Sequence, residues 1–140
     1  MASRNKGGSA RGTPRPLNVV KPAEPGVIGP LRRQAAEFAA ASGAGKDLVA
    51  DVMLAVSEAA TNVVKYAYEK QGEGVVEMSA AVNGGWLEIG IGDRGNKWFE
   101  GESTGLGLGV TIIARLCESL KIVQEGTGTK VQMRFALPAG

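Results

Sequence analysis

Apolar side chains at Leu48, Val52, Val56, Ala59, Ala60, Val63, Val64 and Ala67 recur at three- and four-residue steps. That period predicts a long amphipathic helix from about Lys46 to Tyr68. Asp51, Glu58, Asn62 and Lys65 follow at spacings of seven, four and three, so they form a polar stripe on a neighbouring face, with Glu58 and Asn62 one above the other. Upstream, Leu17–Lys21 reads as a short strand stopped by Pro22, and Leu31–Ala39 as a first helix ending at Ser42-Gly43. Downstream the period changes to two. Val76, Met78, Ala80 and Val82 share one face of a strand over Val75–Val82, Asn83-Gly84-Gly85 makes a hairpin turn, and Leu87, Ile89 and Ile91 share a face of the strand Trp86–Gly92. Residues 94–104 are a polar, glycine-punctuated loop, and Gly105 to Gly109 open a helix through Val110–Cys117. Leu120–Val123 and Thr129–Leu137 complete the pattern as two strands, the second with Thr129, Val131, Met133, Phe135 and Leu137 on one face. Hairpins separated by helices predict an α+β fold: a two-layer sandwich whose mixed, largely antiparallel sheet is covered on one face by helices.

Composition narrows the class without changing that picture. A chain of 140 residues, 44% hydrophobic and 21% charged, suits one soluble domain with a single core. No apolar run approaches the roughly 20 residues that span a bilayer, and the first 16 residues lack the apolar stretch of a secretory signal, so a cytoplasmic protein is expected. Arg4, Lys6, Arg11 and Arg15 make residues 1–16 a basic tail, expected to be disordered, ahead of a domain over 17–138. The net charge of +2 hides a body with 12 basic and 14 acidic residues, and no basic patch interleaved with aromatics marks it as a nucleic-acid binder. Histidine is absent, which removes Ser-His-Asp and Cys-His catalysis and argues against a zinc enzyme. Cys117, alone in the chain, reads as a small buried hydrophobe in the third helix.

Three places carry candidate chemistry. A carboxylate at Glu58 can take a proton from an attacking hydroxyl, and the amide oxygen of Asn62 can ligate a hard cation. Strand parity carried past Gly92 puts Asp93 on the side of Leu87, Ile89 and Ile91, where a carboxylate needs a partner: a ligand donor, or a backbone or water hydrogen bond. Glycines at a helix entry let the backbone approach a phosphate, and the free N–H groups there favour the anion. Two strings are decoys. Gly90-x-Gly92-x-x-Gly95 leads into a loop instead of a helix, and Gly43-Ala44-Gly45-Lys46-Asp47 lacks the first glycine and the hydroxyl of a phosphate loop.

Together these elements resemble the GHKL superfamily of ATP-binding domains, the Bergerat fold, and within it the small serine kinases that act as bacterial anti-sigma factors. The resemblance runs from about Leu17 to Pro138. Ser57-Glu58-Ala59-Ala60-Thr61-Asn62 resembles the N-box, which implies Asn62 as the Mg²⁺ ligand and Glu58 as the general base. Asp93-Arg94-Gly95 resembles the first glycine box, whose aspartate accepts from the adenine amino group. Gly105-Leu106-Gly107-Leu108-Gly109 resembles the second, which binds phosphates at a helix N-terminus, and Gly126-Thr127-Gly128-Thr129 the last, with Thr129 near the adenine. Two positions depart from the pattern: Lys65 stands where many relatives carry histidine, and Lys97 replaces the second glycine of D-x-G-x-G. An ammonium at Lys65 can still meet a phosphate.

The resemblance implies ATP and Mg²⁺ as cofactors, a sigma factor and a STAS-type anti-anti-sigma protein as partners, and a homodimer. Two functions compete on these residues: a protein serine kinase that also sequesters a sigma factor, and a nucleotide-gated module that binds its partner without phosphorylating it.

Overall fold

A computed structural model of the chain describes residues 13–69, 74–94, 106–125 and 128–139. Its elements run β1 (Leu17–Pro22), a 3₁₀ turn (Pro25–Val27), α1 (Ile28–Ala41), α2 (Lys46–Glu69), β2 (Val75–Asn83), β3 (Trp86–Gly92), α3 (Leu106–Leu116), β4 (Ser119–Glu125) and β5 (Gly128–Ala136). The fold is α+β, with a five-stranded sheet in the order β1-β2-β3-β5-β4.

Every neighbouring pair in that sheet is antiparallel, which corrects the expectation of a mixed one. The reason lies in the connections. Two helices join β1 to β2, so the chain returns in the opposite sense, whereas a single crossover helix would have set them parallel. The segment containing α3 does carry the chain from β3 to a strand of the same sense, β4, but β5 folds back between the two and pairs with both.

Register follows from one turn. Gly84 and Gly85 adopt φ of 57° and 88°, the left-handed pair of a type I′ hairpin that few other residues tolerate. They set Asn83 opposite Trp86, and counting back along both strands sets Met78 opposite Ile91 and Glu77 opposite Gly92. Val76, Met78, Ala80, Leu87, Ile89, Ile91, Val131, Met133 and Phe135 then fall on one face and are buried there. Removing each large apolar side chain from water stabilises the fold by about 1.5–3 kcal/mol.

The helices close on that face through small residues. Val52, Ala55, Val56, Ala59 and Ala60 of α2 are wholly buried, and the three alanines among them let α2 approach its neighbours closely. Helix α1 starts earlier than expected, at Ile28, because Pro30 sits in its first turn where no intrahelical N–H is needed. It ends on Gly43, at φ 101°, with Ala44 N–H donating to the Ala39 carbonyl and Gly43 N–H to Ala40, both near 3 Å. Among the described residues no helix covers the opposite face of the sheet. A groove crosses it between Asn18, Ser79, Glu88, Gly90 and Lys121, and its Arg134 lies 4.3 Å over the Trp86 ring and 3.1 Å from Glu88. Among the described residues no helix is long and apolar enough to cross a membrane.

Candidate functional site

Helix α2 positions the first pair of residues. Ala59 and Val63, buried in the cluster that also holds Ile91 and Val131, fix its rotation. Asn62 lies at the margin of that buried face, 8% exposed, while Glu58 one turn earlier is half-buried and Lys65 is exposed. Helix α1 contributes to this face as well: Arg32 Nη1 donates to Ser57 Oγ at 3.3 Å, beside Glu58. The Asn62 amide is an anomaly, because its Nδ2, like Gln34 Oε1 on α1, is buried with no hydrogen-bond partner among the described residues. An unsatisfied buried donor costs about 1–3 kcal/mol. Turned over, the same amide presents an oxygen there, a hard ligand suited to a cation such as Mg²⁺. Among the described residues no cluster of three His, Cys, Asp or Glu side chains forms a metal cage. Mg²⁺ typically takes one or two protein oxygens and completes its shell with water and phosphate, so a single amide at this position fits it.

The second pair comes from the sheet. Asp93 follows the last residue of β3 and Thr129 is the second residue of β5; they are 6% and 1% exposed. Asp93 N–H donates to the Thr129 carbonyl at 3.0 Å, and Thr129 N–H donates to Asp93 Oδ1 at 3.3 Å. The buried carboxylate therefore has a backbone partner, one of the two outcomes its parity left open. Asn62, Asp93 and Thr129 are the polar side chains that the described part of the fold buries. They border one helix-covered core, on the face opposite the groove.

Two glycines make the Asp93–Thr129 contact possible. A Cβ on Gly92 would lie 2.4 Å from the Thr129 carbonyl oxygen, and one on Gly128 would lie 2.5 Å from the Asp93 carbonyl oxygen. Neither has a positive φ; what they provide is close approach of two backbones. Gly92→Ala is expected to lower stability by about 1–3 kcal/mol, read as a shift of the urea midpoint, because backbone atoms must move apart. Gly90→Ala is the control: its Cβ would meet only the Ser79 hydroxyl and the Lys130 side chain, at 2.9 and 3.0 Å, and its midpoint should move less.

On the open face, at the same strand end, Arg94 Nε and Nη2 donate to Glu77 Oε1 and Oε2 at 3.3 and 3.1 Å. Those hydrogen bonds, with the nearby charge of Lys130 adding to them, hold the Glu77 carboxyl below the usual carboxylate range. Leu106, Gly107, Leu108 and Gly109 form the first turn of α3, where backbone N–H groups have no intrahelical partner. Gly95, Lys97 and Gly105 lie outside the described residues. Cys117 falls just past the end of α3 and is half-buried, not enclosed as expected; its Sγ donates to the Ile113 carbonyl at 3.3 Å, and burial pushes its thiol up.

Reasoning from the sequence passes over three residues of this neighbourhood as site builders, Arg32, Glu77 and Gly92, and meets Gly128 only as part of the last glycine box. A glycine ending an apolar strand is a known mark of close approach, so Gly92 had a signal. The Arg94–Glu77 pair had a weaker one, since the Gly84-Gly85 turn fixes Glu77 opposite Gly92 and Arg94 follows two residues later. Arg32 had none.

Comparison with known proteins identifies the family and the fold. A family model described as a histidine kinase-like ATPase domain matches residues 21–135. The chain is similar to the serine-protein kinase RsbW of Bacillus velezensis, 30% identical over 128 residues covering 80% of this chain and 79% of that protein. The Bacillus subtilis protein of that name is 34% identical over 77 residues, 55% of this chain and 48% of its own length. The anti-sigma F factor of Clostridium acetobutylicum is 35% identical over 102 residues, 62% of this chain and 71% of that protein. Among solved structures, the RsbU and RsbW domains of Rv1364c from Mycobacterium tuberculosis superpose with a TM-score of 0.70 at 25% identity. That match covers 89% of this chain and 32% of the mycobacterial one.

Proposed function

The chain belongs to the histidine kinase-like ATPase domain family, and from that premise we propose that it is an ATP-dependent protein serine kinase acting as an anti-sigma factor. It phosphorylates a STAS-type anti-anti-sigma partner and sequesters a sigma factor, as a cytoplasmic homodimer. One observation carries the reading furthest. The polar side chains withdrawn from water, Asn62, Asp93 and Thr129, are those an adenine nucleotide and its metal would use.

In this mechanism Asp93 accepts a hydrogen bond from the adenine amino group while Thr129 holds the carboxylate's other side. The backbone N–H groups of the glycine-rich entry, Gly105 to Gly109, receive the phosphates, and Lys65 turns its ammonium toward them. The amide oxygen of Asn62 would hold the metal. Mg²⁺, when bound, offsets the charge of the phosphate oxygens. Glu58 takes the proton from the partner's serine hydroxyl as that oxygen bonds to the γ-phosphorus and the bond to the bridging oxygen breaks, releasing ADP. Phosphoryl transfer depends mainly on positioning and electrostatics, so a few residues suffice.

Calorimetry with ATP and ADP, with and without Mg²⁺, tests the pocket, and labelled ATP with the cognate partner tests the chemistry. A phosphoserine on the partner is the expected result. Mg-ATP binding with no transfer would instead favour the nucleotide-gated binding module, the reading that Lys97 in place of glycine supports. No nucleotide binding at all would end both.

A further inference from the structure

The ladder between β2 and β3 stops at Glu77 opposite Gly92. The next two residues of β2, Val76 and Val75, pair only with Lys21 and Pro22 of β1. Past Gly92 the two strands therefore part, and Asp93 stands at the fork. On its β5 side the backbone is tied by the Asp93 N–H and the Thr129 carbonyl. On its β2 side the ladder goes no further among the described residues. The Arg94–Glu77 clasp occupies that place, joining the residue after Asp93 back to β2 through two parallel hydrogen bonds. Gly92 puts no side chain of its own in the row between Glu77 and Lys130.

Resting on the adenine-binding reading of Asp93, we infer that Arg94 and Glu77 are positioning residues for base recognition: their pair holds residue 93 from the second side, so that its carboxylate meets the base in one place. As a stability element the pair does little, because Arg94 is 60% exposed and water screens it. Its effect falls on binding, and on the part of binding that reads the base. The adenine amino group is the probe, since inosine triphosphate keeps the ribose and phosphates and replaces that amino group with an oxygen.

The experiment measures dissociation constants for ATP and inosine triphosphate by calorimetry, on wild type, Arg94→Gln, Glu77→Gln, the charge swap Arg94→Glu/Glu77→Arg, and Asp93→Asn. Wild type should prefer ATP. Each single variant should lose about fivefold in ATP affinity with little change for inosine triphosphate, and the swap should recover most of the preference. Equal loss for both nucleotides, or no loss in either single variant, overturns the positioning role while leaving the adenine site intact. A wild type with no preference for ATP, or an Asp93→Asn variant that keeps it, removes the adenine reading and this inference with it.

Discussion

Glu58→Gln is expected to bind ATP as wild type does and to transfer its phosphate about 10²–10⁴ times more slowly, the range by which a positioned general base accelerates proton transfer. The substitution keeps side-chain length and shape and removes the charge together with the capacity to accept a proton. Glu58 is half-buried and lies outside the apolar cluster, so the fold has little reason to respond. Its neighbour Ser57 keeps the hydrogen bond from Arg32, which holds α1 against α2 at this turn. Single-turnover transfer from labelled ATP to the proposed STAS-type partner measures the step directly, and calorimetry on the same preparation measures binding. Transfer retained within about tenfold of wild type would mean another group takes the proton. Loss of ATP binding would mean that Glu58 contacts the nucleotide itself.

How much of this was legible in the chain depends on whether the information is local. Hydrophobic period places α2 to within a residue of its observed ends, because 24 residues of unbroken pattern leave little freedom. Parity carries Asp93 and Thr129 to the core side, since a strand's side chains must alternate. The Gly84-Gly85 turn sets the β2–β3 register by counting alone. What fails is pairing choice. No local feature says that β5 inserts between β3 and β4, and the sheet was therefore expected to be mixed. The demand for glycine at 92 and 128 follows from that same pairing: only when β3 lies against β5 do the Thr129 and Asp93 carbonyls occupy the space a Cβ would need. The Arg32–Ser57 contact is hidden for the same reason, being a product of how two helices cross. Motif strings thus reach the residues that the proposal assigns to the nucleotide, while the reason Asp93 and Thr129 can lie so close is read from the assembled sheet.

The unsatisfied amide leads to a result in which stability and function move in opposite directions. Asn62→Ala removes a buried donor that has no partner among the described residues, so the nucleotide-free protein should be as stable as wild type or slightly more so. An ordinary buried asparagine held by hydrogen bonds would behave otherwise, costing about 1–3 kcal/mol when truncated because its partners would be left unpaired. Binding should fall instead. If the amide oxygen is the protein's ligand to the metal, Mg-ATP affinity drops by at least about 100-fold, roughly 2.7 kcal/mol, while affinity for ATP in the presence of a chelator changes little. The difference between the two conditions, present in wild type, should collapse in the variant. Urea titration gives the first half of the prediction and calorimetry with and without Mg²⁺ gives the second. A variant that unfolds more easily yet binds Mg-ATP as before would make Asn62 a structural residue, and the metal would then have to be held elsewhere.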